Sequence, residues 1–199
     1  MDKKTKGKLI YICGIDGAGK TTIAKKLALD LKNAQYISVS ENSFFTDQIK
    51  KCKGKRYRDS YDPYFRGVQW ALDILYMSNT LIKRLLKSGV TVILDRYFIC
   101  NSIYTPIKNR EEYELLNQLH GMLCCPDIIF WINVDPHIAY NRIKNRGREM
   151  SPKEDLQQLI VASEQYKNKC RKCNIIEIKS NTSELSENII YDYIKERLG

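Results

Sequence analysis

Eight consecutive residues constrain this chain more than anything else in it: Gly14-Ile15-Asp16-Gly17-Ala18-Gly19-Lys20-Thr21, a full match to G-x-x-x-x-G-K-[ST]. Leu9-Ile10-Tyr11-Ile12-Cys13 precede them as a continuous apolar run, the pattern of a strand covered on both faces. Residues 20–32 follow, with Ile23, Ala24, Leu27, Ala28 and Leu31 on one helical stripe. A glycine-rich turn between a buried strand and a helix lets backbone N–H groups surround a polyanion at the positive end of the helix. The spacing therefore predicts a phosphate cradle built from Gly14, Asp16, Gly17, Ala18, Gly19, Lys20, Thr21 and Thr22, with ATP and Mg²⁺ as its ligands. Lys20 is placed to neutralise β- and γ-phosphate oxygens, and Thr21 to set its hydroxyl on the metal.

The rest of the chain repeats this rhythm. Short strands are predicted at 35–39, 90–94, 128–134 and 175–178, and helices at 66–88, 111–123, 153–172 and 184–198. Strands alternating with helices predict an α/β fold with a five-stranded parallel sheet flanked by helices, the P-loop NTPase architecture. Gly89 suits the end of the long helix, and Asp135-Pro136 reads as an N-cap followed by proline at the first helical position. A length of 199 residues suits one domain, taken as 1–199. Two stretches break the pattern and read as mobile loops: a basic loop at about 50–60 and a short lid at about 142–153.

Composition narrows the function classes. No apolar run approaches the roughly 18 residues of a membrane helix, and the basic start leads into only five apolar residues, so neither a membrane partner nor a secretory leader is expected. Seven cysteines, several inside apolar runs, fit a reducing cytoplasm with buried thiols. Cys170 and Cys173 form a lone C-x-x-C without a second pair or a nearby histidine, so they are read as plain helix-end residues. The formal charge of +10 favours a polyanionic ligand. No single-strand-reading motif accompanies it, so the basic residues are read as a solvated face rather than a nucleic-acid surface.

The third strand ends in Asp95-Arg96-Tyr97, and ligands of parallel sheets sit beyond the carboxyl ends of the strands. Asp95 is therefore a second metal-side group, and Arg96 a bidentate grip on a second phosphate facing the triphosphate. Asn101 and Tyr104 follow at short spacing, an amide for a base edge and a phenol for a sugar. Arg142 and Arg146 lie four residues apart on one helix face, and Arg148 follows across Gly147. Three arginines beside a glycine break suit a lid closing over transferred phosphate. A GTP switch would need Asn-Lys-x-Asp, whereas Asn168-Lys169 is followed by Cys170-Arg171.

On these residues, about 8 to 198, the chain resembles the thymidylate kinase family of nucleoside monophosphate kinases. The resemblance implies an enzyme that moves the ATP γ-phosphoryl group to a (deoxy)pyrimidine monophosphate, most closely dTMP. It implies that Asp16 is the acid of the P-loop, Arg96 holds the acceptor phosphate, Asn101 and Tyr104 contact base and sugar, and Trp70 stacks on the base. Gly17 stands where one branch carries an arginine, which implies that Arg146 and Arg148 are catalytic from the lid and Arg142 lies beside the ATP. A homodimer pairing through its long helices is also implied.

The chain departs from the family in three places. Ser40-Glu41-Asn42-Ser43-Phe44 replaces Arg-Glu-Pro-Gly-Gly, Ile74 replaces an arginine of the long helix, and Met150-Ser151 replaces an Asp-Arg pair of the lid. Arg66, or Arg56 and Arg58 of the basic loop, are the candidates for the missing contacts. Two alternatives share the motifs less completely: a deoxynucleoside kinase, for which Asp95 would be the base, and a non-catalytic nucleotide- or nucleic-acid-binding module.

Overall fold

Strand β1, Leu9–Cys13, has no exposed residue, as its uninterrupted apolar run requires. Each such side chain contributes about 1.5–3 kcal/mol on burial, which makes β1 the natural centre of the fold. The computed structural model describes residues 6–53, 61–147, 149–170, 175–179 and 183–198. Among these, β1 is joined by β2 (Ala34–Ser38), β3 (Thr91–Asp95), β4 (Ile128–Asn133) and β5 (Ile176–Lys179). All pairings are parallel, in the order β2-β3-β1-β4-β5. Ile12 and Ser38 both pair with Asp95, so three strands finish at one level. That level carries the site. Among the described residues no helix is long and apolar enough to cross a membrane.

The helices are α1 (Lys20–Asp30), α2 (Phe44–Lys53), α3 (Pro63–Met77), α4 (Lys83–Lys87), α5 (Phe98–Tyr104), α6 (Arg110–Gly121), α7 (Pro136–Lys144), α8 (Leu156–Cys170) and α9 (Ser183–Leu198). Asp135 caps α7 as expected, accepting from the His137 N–H at 2.7 Å. Several expectations are corrected. The basic stretch from Lys50 is not an aperiodic loop at its start: Lys50, Lys51 and Lys53 form the last turn of α2, where their charge suits the helix dipole. Residues 54–60, with Arg56 and Arg58, lie outside the described residues, as do Arg148 and Cys173. The charged helix expected from 153 is split into a 3₁₀ turn at Pro152–Glu154 and α8, because Asp155 is extended and accepts from the Gln157 N–H at 2.9 Å. The helix expected before Pro126 already stops at Gly121.

The helix expected over 66–88 starts earlier, at Pro63, capped by Asp62, and runs on through a π-helical segment, Ser78–Ile82, into α4. Ser78 anchors this segment. Its Oγ accepts from the Tyr97 hydroxyl at 2.9 Å and from the Cys124 N–H at 2.8 Å. The long helix is thereby tied to the residue after Arg96. Ser78→Ala strands the Cys124 N–H and leaves the Tyr97 hydroxyl only the Cys124 carbonyl at 3.2 Å, so we expect unfolding in urea to show a loss of about 1–2 kcal/mol without a change of fold.

Candidate active site

Gly19 closes the loop after β1 and serves as N-cap of α1 with φ 90°, a left-handed conformation that glycine adopts without strain. It has no side chain to cap the helix, so the first-turn N–H groups stay available for an anion. Gly17, φ 83°, is equally constrained, since a Cβ there would stand 2.4 Å from the Ala139 carbonyl oxygen of α7. No arginine fits at this position of the loop.

Lys20 is buried and donates to the Ile15 carbonyl at 2.7 Å. Burial, aided by the charge of Arg96, lowers its pKa. Thr21 donates its hydroxyl to Asp95 Oδ2 at 2.5 Å. Asp95 Oδ1 is buried without a hydrogen-bond partner among the described residues. One hydroxyl and one unspent carboxylate oxygen beside a phosphate loop suit Mg²⁺, which takes one or two protein ligands and fills its octahedron with phosphate and water.

Arg96 and Asp95 part company at the end of β3. Arg96 has φ 69°, unusual for a residue with a side chain, and its guanidinium pairs with Asp16 across the loop. Burial alone would raise the Asp16 pKa, but Arg96, Lys153 and Lys20 hold it well below the usual carboxylate range. Burial likewise opposes charge on Arg96, and Asp16 more than offsets this, holding it protonated well above its ordinary value. Lys153 is the residue that the sequence did not reveal. Its Nζ lies 3.1 Å from Asp16 Oδ2 and 5.5 Å from the centre of the Tyr104 ring. Only a capping box, Ser151 with Glu154, marked its turn in the sequence.

Arg96 and Lys153 share a cavity of about 420 Å³ with Trp70, Arg66, Gln69, Asn101 and Tyr104. The structure thus gathers Trp70, Arg96, Asn101 and Tyr104 as the sequence predicts. The Tyr104 hydroxyl is buried, has no hydrogen-bond partner among the described residues, and has its pKa raised by burial and then by Asp16. Ile74 is buried in the core and does not line the cavity, whereas Arg66 does. Arg142 reaches the Gly17 carbonyl at 3.4 Å. Arg146 is exposed and lines no part of this cavity.

Asn101 is fully buried and its amide is spent within the protein. It donates to the Gly67 carbonyl at 2.9 Å and to Thr105 Oγ1 at 3.3 Å, and its Oδ1 faces His120 Nε2 at 2.7 Å. Neutral His120 gives its Nε2–H to Asn101. Burial, then the charge of Lys169, lowers its pKa from 6.5 to about 4. The folded-state pKa is depressed, so this contribution to stability is complete above pH 6.5 and is lost as pH falls towards 4. After discounting for partial exposure, we expect unfolding free energy to drop between pH 7 and pH 5 by about 1 kcal/mol more in the wild type than in His120→Gln. Equal drops in paired urea titrations would refute this account.

A family model described as thymidylate kinase matches residues 12–189. The thymidylate kinase of Plasmodium falciparum is 29% identical over 204 residues, covering 98% of this chain and 91% of that protein. That of Buchnera aphidicola subsp. Baizongia pistaciae is 32% identical over 152 residues, covering 71% of each. The solved structure of thymidylate kinase from Candida albicans superposes with a TM-score of 0.74 at 19% identity, over 97% of this chain and 93% of that one, a likeness of fold.

Proposed function

The chain belongs to the thymidylate kinase family, and from that premise we propose that it transfers the γ-phosphoryl group of ATP to the phosphate of dTMP, giving the diphosphate. One observation carries the reading: Arg96, at the end of β3, faces the loop of Gly14–Thr21 through Asp16 and opens into the cavity that holds Trp70. A monophosphate held by Arg96 would meet a triphosphate held by the loop.

In this mechanism Lys20 leaves the Ile15 carbonyl for the β- and γ-phosphate oxygens. Thr21 and Asp95 would hold Mg²⁺, which would supply neutralisation of charge on the phosphates. Arg96 orients the acceptor phosphate while Asp16 keeps its guanidinium aimed. Lys153 adds positive charge from the lid side, joined by Arg142, Arg146 and Arg148. Trp70 stacks on the base, Tyr104 covers the sugar, and Asn101 sets the cavity wall between them. No covalent intermediate is needed, because phosphoryl transfer rests on positioning and charge.

We read the chain as one domain, built on one sheet. The free thiols of Cys13, Cys100 and Cys170, all buried, support a cytoplasmic setting. Pairing of two copies through α2 and α3 is supported by Phe44 and Tyr76, 48% and 44% exposed, whose rings lie 5.2 Å apart. Phe44→Lys combined with Tyr76→Lys is expected to elute as a monomer in light-scattering chromatography, with the wild type a dimer.

ADP release measured across ribo- and deoxynucleoside monophosphates should be highest with dTMP. Lys20→Met is expected to lower kcat about a thousandfold with the fold intact. Arg96→Gln should raise KM for dTMP at least about tenfold while leaving KM for ATP nearly unchanged. Full turnover by Lys20→Met, or phosphorylation of nucleosides alone, would sink the assignment.

A further inference from the structure

One polar network on the cavity wall has no part in gripping phosphate. Asp73 of α3 is wholly buried and caps α2 from outside that helix. It accepts from the Phe45 N–H at 2.6 Å, from the Thr46 N–H at 3.2 Å and from the Thr46 hydroxyl at 2.5 Å. Thr46 Oγ1 in turn receives Nε2 of Gln69 at 2.5 Å. Gln69, 6% exposed, lines the cavity beside Trp70.

The direction of every proton in this chain is dictated. Backbone N–H groups only donate, so both Asp73 oxygens accept. The single Thr46 hydroxyl proton goes to Asp73, which leaves that oxygen with lone pairs alone. The Gln69 atom facing it must therefore be the N–H side of the amide. One Nε2 hydrogen is spent, and the side chain is locked in one flip. Its Oε1 and its second Nε2 hydrogen remain as a paired acceptor and donor.

Such a pair reads a pyrimidine edge. A 4-oxo pyrimidine offers N3–H beside O4, and a 4-amino pyrimidine offers bare N3 beside an N4 amino group. The two patterns are reversed, so an amide in one position must turn over to pass from one base to the other. Turning over would set Oε1 against the Thr46 lone pairs, or pull the Thr46 proton away from Asp73. Either leaves a buried polar group unpaired, a cost that separates substrates strongly.

Resting on the kinase reading above, we propose that Gln69 reads the base of the acceptor, and that Thr46 and Asp73 are positioning residues that lock it for 4-oxo over 4-amino pyrimidine monophosphates.

The test compares kcat/KM for dTMP, dUMP and dCMP in the wild type, Thr46→Val, Thr46→Ser and Gln69→Met, with thermal unfolding of each. The wild type should favour dTMP and dUMP over dCMP by at least about a hundredfold. Thr46→Val, which removes the acceptor, should cut the dTMP-to-dCMP ratio about tenfold, chiefly by gaining dCMP turnover, and Thr46→Ser should restore it. Gln69→Met should bring the ratio towards one, and it decides the matter if Thr46→Val fails to fold. A wild type active on dTMP whose ratio survives both Thr46→Val and Gln69→Met overturns this inference and leaves the kinase reading standing. A wild-type preference for dCMP overturns the assigned polarity. A wild type inactive on every monophosphate sinks both.

Discussion

Asp16 and Arg96 bind two loops that the chain order keeps 80 residues apart. One loop follows β1 and the other follows β3, and the parallel register brings both to one level. The pair is expensive, since removing each charge from water costs several kcal/mol, on the order of 5, before any contact is made. Asp16 is only 4% exposed, and it escapes protonation because Arg96 and Lys153 both face it. Removing Asp16 would strand the Arg96 guanidinium, and removing Arg96 would leave Asp16 to Lys153 alone. The geometry of the site thus depends on an interaction whose own net stabilisation is small and whose disruption is severe.

The same pair explains how a resting site stays ready for anions. Lys20, Arg96 and Lys153 converge on a region whose carboxylates are Asp16 and Asp95. Without carboxylates these cations would repel one another, and burial already lowers the pKa of Lys20. Asp16 and Lys20's bond to the Ile15 carbonyl hold the cations in place. A phosphate group supplies negative charge where Asp16 and that carbonyl supply it in the resting fold, so binding exchanges partners rather than creating a charge cluster afresh.

The sheet and the phosphate loop were legible because their signals are local. β1 is an unbroken apolar run, and the loop's glycines and Lys20 sit in a fixed spacing. Arg96 was legible from its place at a strand end. What escaped was set by distant partners. The first turn of helix α2 is held by Asp73, which lies 28 residues from Phe45, a partner that no local spacing foretells. Lys153 reads as one more lysine in a polar stretch until the fold sets it beside Asp16. Asn101 lines the cavity, but its amide, expected at a base edge, is spent on Gly67, Thr105 and His120, contacts no spacing foretells. Ile74 looked like a gap in the base pocket, whereas it fills the core.

These hidden contacts share a destination. Asn101 holds the carbonyl of Gly67, and Thr46 with the N-terminus of α2 holds Gln69 and Asp73. Both networks end on α3, one on Gly67 and the other on Gln69 and Asp73, which flank Trp70 in sequence. A buried polar network is favourable only when all its members are satisfied, because each orphaned group costs more than a bond returns. The stretch of α3 around Trp70 is therefore held by two arrangements that are close to all-or-none. Apolar packing alone would tolerate sliding of a helix by fractions of an ångström, and hydrogen bonds of 2.5–2.9 Å do not. The wall that carries the aromatic ring is fixed by polar groups, and the floor of the fold by apolar ones. That division makes the cavity rigid along the wall of α3 while the segment bearing Lys153 stays at the surface.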